Sequence, residues 1–141
     1  MNTTACGTFV VRLSPLPFEG DPGQPAQATG AGASATLARL EINKQIEGDL
    51  VATTRGQMLS AVPGMPGSAG YVAMELVDGA LHGRRGSFVL QHSGTMSRGT
   101  PQLAVTVVPD SATGELQGLA GTFRIIVAGG QHRYEFDYTL P

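Results

Sequence analysis

The side chains best suited to chemistry are the carboxyl of Glu75 and the imidazole of His92, which flank and enter the segment Asp78–Gly94, DGALHGRRGSFVLQHSG. Imidazole titrates near neutral pH and a neighbouring carboxylate tunes it, so the two together suit a general acid or base, or a polar anchor for a ligand. Whether they meet depends on the turn between them. With Arg84 and Arg85 as the central residues of Gly83-Arg84-Arg85-Gly86, Gly83 faces Gly86 and Val77 falls opposite His92. Glu75 is then a diagonal neighbour of His92, on the face that carries Phe88 and Leu90. Phe88, Leu90 and His92 alternate with Ser87, Gln91 and Ser93, the period of a strand with one buried side, and only Val89 interrupts it. Two plainer readings stand beside this one. His92 would serve equally as a core histidine bonded to a carbonyl, and a bulge at Gly79 would turn Glu75 outward.

The elements that must position this pair read as short strands. Thr3–Leu13 is rich in β-branched and aromatic residues, with Gly7, Phe9, Val11 and Leu13 on one side. Residues 20–33, GDPGQPAQATGAGA, are small and unpatterned and are expected to form an exposed, flexible loop. Ser34–Asn43 is read as a strand, although Leu37, Leu40 and Glu41 would also suit a short helix. What decides it is the turn or bulge at Ile46-Glu47-Gly48-Asp49 that leads into Leu50–Ser60 as a hairpin. Pro63-Gly64-Met65-Pro66-Gly67 breaks the chain, Tyr71–Val77 resumes a strand, and Met96–Pro101 is expected as a loop. Gln102–Val108 has near-continuous apolar character and predicts a strand buried on both sides, followed by a turn region over Pro109–Glu115. The last hairpin joins Gly121–Val127 to His132–Leu140 around Gly129-Gly130. It sets Ile125 opposite Tyr134, Phe123 opposite Phe136 and Gly121 opposite Tyr138 on one face, with Arg124, Arg133, Glu135 and Asp137 on the other.

These strands, in hairpin order and without a helix, predict an all-β chain: one domain over residues 1–141, most simply an antiparallel eight-stranded β-barrel, with a β-sandwich as the alternative. The totals agree. A chain of 141 residues suffices for one domain with a sizeable core, and twenty glycines and nine prolines favour short strands and turns. Charged residues make up 14% and the formal net charge is -2, so no basic surface is expected for nucleic acid. No apolar run approaches the roughly 20 residues of a spanning helix, so membrane insertion is not expected. A single cysteine, Cys6, and the lack of a basic region followed by an apolar run make the cytoplasm the expected location.

Other features carry less chemistry. Cys6 has no sequence neighbour that would activate its thiol, and His82, His92 and His132 are too scattered for a zinc site, so no metal and no cofactor is implied. Gly114, Gly118 and Gly121 lack the spacing and following helix of a dinucleotide fingerprint. Arg84 and Arg85 read as a solvated pair at a hairpin tip, and Tyr71, Tyr134 and Tyr138 as wall or core residues able to place a hydroxyl in a cavity.

Gly86–Gly94, GSFVLQHSG, and Val107–Gly121, VVPDSATGELQGLAG, resemble the paired signatures of a bacterial family known as domain of unknown function 3224, and the likeness covers nearly the whole chain. That family is similar in fold to the allene oxide cyclase barrel superfamily, where a Thr-Gly-x-Leu/Phe-x-Gly-x-x-Gly segment like Thr113–Gly121 leads into a late strand. The resemblance implies an allene-oxide-cyclase-like barrel. Its relatives include cyclases of unsaturated lipid-derived or polyketide substrates, stereochemical guides for coupling, and members of no known activity, and no active site transfers residue by residue.

The expected function is therefore binding of a small hydrophobic ligand. Phe88, Leu90, Phe123, Ile125, Phe136 and Tyr138 would line an apolar cavity, with Glu75 and His92 as polar anchors and candidate catalytic residues. One alternative is a cyclase or isomerase acting on an unsaturated hydrophobic substrate, which needs few catalytic residues. The other is a filled barrel acting as an oligomeric scaffold, a homo-oligomer joined through outward residues such as Val89 and Val108.

Overall fold

Alternating polar and apolar positions make each strand one-sided, and a twisted sheet with one apolar face buries it by closing on itself. The computed structural model describes residues 2–18, 26–27 and 35–141. Its strands are β1 (Thr3–Leu16), β2 (Ala26–Gln27), β3 (Thr36–Gly48), β4 (Leu50–Val62), β5 (Ala69–Leu81), β6 (Arg84–Ser97), β7 (Thr100–Val107), β8 (Ala120–Ala128) and β9 (Gln131–Thr139). From β3 to β9 each strand pairs antiparallel with the next, β9 pairs with β1, and β1 returns to β3. The result is a closed eight-stranded antiparallel barrel, with β2 a two-residue addition beside Leu37 and Thr36 of β3. The loop expected over residues 20–33 otherwise lies outside the described residues. Among the described residues, no helix is long and apolar enough to cross a membrane.

The last hairpin has the register its sequence predicts: Ile125 faces Tyr134, Phe123 faces Phe136 and Gly121 faces Tyr138. The hairpin between β5 and β6 does not. Its turn is His82-Gly83, with φ of 46° and 81°, so Leu81 faces Arg84, and both Arg84 and Arg85 lie within β6. Two consecutive positive φ values give the turn whose twist matches that of the flanking strands, and the same device recurs at Arg98-Gly99 and Gly129-Gly130. Val77 consequently faces Phe88 instead of His92, a slip along β6 of 92 − 88 = 4 residues. Because the slip is even, every side chain keeps its face.

Other expectations need correction. Met96 and Pro101 are not in a loop but pair across the Arg98-Gly99 turn. β7 is buried on one face only, at Val105 and Val107, while Leu103 and Thr106 are exposed. Of the stretch Ser34–Asn43, read as a strand, Thr36–Asn43 is strand, and β3 runs on to Gly48, five residues further than expected. Gly79 makes no bulge, since pairing continues through it on both sides; a Cβ there would lie 2.6 Å from the Ala52 Cα, so the glycine marks a close backbone approach. Val89 and Val108, expected on an outer face, are half-buried where the chain after β7 crosses β6: the Val108 amide donates to the Val89 carbonyl at 2.9 Å.

The two ends of the barrel differ. One is closed by the segment after β7, whose short 3-10 turn Gly114–Leu116 puts Leu116 fully out of solvent beside Ala112 and Leu119. Above this plug the barrel is packed with rings: Phe123 stacks on Tyr134 at 5.1 Å, Phe88 on Phe136 at 5.7 Å, and Phe136 lies 5.4 Å from Tyr138. At the other end, bounded by the Pro63–Ser68 connection and the Arg98-Gly99 and Gly129-Gly130 turns, inward positions open to solvent. Leu13, Val62, Met96 and Leu103 there are 41% to 51% exposed.

Candidate functional site

Between the packed end and the open end, four strands each turn one polar side chain inward. β3 contributes Lys44, set between the buried Ile42 and Ile46; β4 contributes Thr54, β5 Glu75 and β6 His92. All are buried, Glu75 completely. Charged groups survive out of water only when paired and bonded, and here they are. Glu75 Oε1 accepts from His92 Nε2 at 2.8 Å and from Lys44 Nζ at 3.1 Å. Thr54 Oγ1 donates to Glu75 Oε2 at 2.6 Å and accepts from the Lys44 amide at 3.1 Å. Lys44 Nζ also sits 4.7 Å above the ring of Phe9, which stacks on His132 at 5.1 Å. Among the described residues no buried side-chain nitrogen or oxygen is left without a partner.

Burial by itself would raise the Glu75 carboxyl. The His92 hydrogen bond, the Lys44 charge, the Thr54 hydroxyl and the charge on His92 more than offset it and hold the carboxyl at about 2. Glu75 is therefore ionised at neutral pH and acts only as an acceptor, so His92 carries a proton on Nε2. The expected pair thus meets, although by a different register: Ala73 faces His92, Leu90 faces Glu75, and the two remain diagonal neighbours.

Tyr71 connects this cluster to the open end. Its half-buried ring lies 6.3 Å from that of His92, and burial followed by the Glu75 charge raises its hydroxyl above the ordinary value, so it stays a donor at neutral pH. The same ring covers Gly94, where a Cβ would lie 2.6 Å from it. Next to it is a pocket of about 310 Å³, lined by Met58, Ser60, Tyr71, Gly94, Met96 and Leu103. These are inward positions of β4 to β7.

The six residues expected to line a cavity lie elsewhere. Phe88, Leu90, Phe123, Phe136 and Tyr138 are buried in one cluster with Ile125 packed against it, and their side chains fill the closed-end half. Lys44 and Thr54 are the site residues that sequence reasoning missed. The signal was present in Ile42-Asn43-Lys44-Gln45-Ile46, where Lys44 has the parity of two isoleucines, but it shows only if the strand continues past Asn43.

Residues 17–138 match a family described as protein of unknown function (DUF3224). The chain belongs to the DUF3224 family. It is similar over its full length to a crystal structure of a DUF3224 protein of unknown function from Shewanella oneidensis MR-1. The two share 45% identity with a TM-score of 0.86, and the alignment covers 100% of this chain and 99% of the other. No curated protein matches the chain. The DUF3224 barrel carries a second polar group at its closed end. His82 Nδ1 is hydrogen-bonded to the Tyr138 hydroxyl at 2.5 Å, and its Nε2 lies 3.6 Å from Asp49 Oδ2. His82 and Asp49 are exposed, unlike the Lys44, Glu75 and His92 cluster.

Proposed function

We propose that this barrel binds a small, largely apolar molecule at its open end, with Tyr71 and Ser60 as its polar contacts and the buried His92 and Glu75 pair behind Tyr71. One observation carries the reading: a fully bonded ionic cluster buried in the barrel, joined through Tyr71 to an apolar pocket of about 310 Å³. Buried charges add little net stability over an apolar core, so their presence under a pocket favours a role in recognition. A volume near the lower end of the usual range for ligand sites suits a small molecule.

A second reading, a cyclase or isomerase, is favoured by the His92 ring, which ionised Glu75 holds through Nε2 in the manner of a general base. The resemblance to allene oxide cyclase barrels supports the same reading by analogy of fold.

The test is titration with a neutral apolar fluorophore, N-phenyl-1-naphthylamine, against the wild type and Ser60→Trp, whose indole would fill the half-buried mouth. Saturable binding that the substitution weakens tenfold or more (about 1.4 kcal/mol), without loss of folding, supports the proposal. Equal binding by both proteins, or none by the wild type, refutes it.

A further inference from the structure

We infer that the outer face of β3 to β6 docks a second copy of this chain, as an isologous dimer whose two-fold axis crosses β5 between Val72 and Met74.

The eight strands close on one another, so a protein partner has to pack against side chains of the outer wall rather than extend a sheet edge. That wall is uneven. On β8 and β9 it is charged and internally paired, with Arg124 bonded to both Glu135 and Asp137. On β5 the outward residues between Gly70 and Asp78 are Val72, Met74 and Leu76, all exposed, and the uncharged Ser93, Gln91 and Val89 of β6 lie beside them. On β4, Leu59 pairs with Val72, and the two are 48% and 52% exposed. Next to them an outer groove of about 360 Å³ runs between Phe18, Leu37, Leu59 and Val72. An exposed apolar face with a methionine at its middle and no charge around it has the composition of an interface centre.

The strand register shows that this face is complementary to itself. Paired residues of adjacent strands share a face, so Arg39, Leu59, Val72 and Ser93 form one outward row, and Glu41, Gln57, Met74 and Gln91 the next. A two-fold axis lying across the strands between these rows exchanges them. Met74 then falls on Val72 of the other copy, and Leu76 on Gly70. There is room for it there: within 4 Å, a Cβ on Gly70 would meet only the Gly94 carbonyl oxygen, at 3.9 Å. On the β3 flank Glu41 falls on Arg39 of the other copy, so opposite charges face each other twice per dimer. Neither has an ion-pair partner among the described residues. An axis through either row would instead set Glu41 on Glu41 or Arg39 on Arg39, which places the axis between them. Four strands about 4.8 Å apart and four outward rows about 6.8 Å apart cover roughly 500 Å² of wall, the low end for a specific contact, so the dimer is reversible.

Sedimentation velocity of the full chain between about 5 μM and 1 mM reads the association, with a reversible rise from monomer to dimer expected. Met74→Arg sets a charge beside the axis, while Glu41→Arg and Arg39→Glu each turn both facing pairs into like charges. Each variant is expected to weaken association at least about tenfold. An equimolar mixture of the Glu41→Arg and Arg39→Glu proteins is expected to dimerise close to wild-type strength, because every facing pair again joins opposite charges. Arg39 also donates to the Pro17 carbonyl and to Gln57, so if Arg39→Glu does not fold, Met74→Arg and Glu41→Arg carry the test. A wild type that stays monomeric at about 1 mM leaves the face to a different partner and overturns the inference. Folded variants that associate as the wild type does, or a mixture no tighter than its components, overturn it as well.

Discussion

Replacing Glu75 by Gln removes one negative charge from between Lys44 and His92 while keeping the size of the side chain. Removing one partner of a buried ion pair leaves the other uncompensated and destabilises by about 3–5 kcal/mol. The proton affinity of Glu75 gives a second route to the same quantity. Its carboxyl stands at about 2 in the folded barrel against an ordinary 4.5, and at 1.36 kcal/mol per pH unit the difference corresponds to about 3 kcal/mol. The folded value is depressed, so this stability is fully present above pH 4.5 and fades as the pH falls toward 2. Urea unfolding of both proteins from pH 7 downward measures it, because other carboxylates contribute to both curves alike and cancel in the difference. Expected is a gap of about 3 kcal/mol at pH 7 that narrows below pH 4.5 and closes toward pH 2. A gap under about 0.5 kcal/mol at pH 7, or a constant one, would refute the buried cluster.

Gly79→Ala forces a Cβ against the Val51 carbonyl and the Ala52 Cα, both backbone atoms that cannot swing aside, and is expected to lower stability by about 2 kcal/mol or more in denaturant unfolding. His82→Val places a β-branched residue at a φ of 46° and should cost about 1–2 kcal/mol by the same measurement, whereas His82→Asn should be close to neutral. Gly94→Ala meets the ring of Tyr71 and the end of Leu103, which are free to give, so stability should change by less than about 1.5 kcal/mol while fluorophore affinity falls.

The sequence carried face assignments better than register or volume. In the last hairpin, two alternating strands and a Gly-Gly turn agree on one pairing, and β8 and β9 have it. Before β6, the symmetric Gly83-Arg84-Arg85-Gly86 mimics a turn, whereas the real turn uses His82, one of the few non-glycine residues that tolerate positive φ. The Glu75 and His92 pairing survived that error only because the slip was even. Lys44 was hidden by ending its strand at Asn43, so a buried cation was left out of the cluster it completes. Parity shows that Phe88, Phe123 and Phe136 point inward, but whether the space among them is filled depends on strand tilt and on the segment that plugs one end. Neither leaves a periodic trace in the sequence. The open end was illegible for the same reason: Met58, Met96 and Leu103 read as ordinary inward positions, and only closure of the barrel shows which end lacks a plug.

The most direct measurement is methyl NMR of the five methionines during titration with N-phenyl-1-naphthylamine. Met58 and Met96 line the open-end pocket, while Met74 is exposed on the outside of β5 and serves as the control. Saturable shifts of Met58 and Met96, with Met74 unmoved, are the expected result. Shifts confined to Met74, or no shift at saturating fluorophore, would contradict a ligand site at the open end of the barrel.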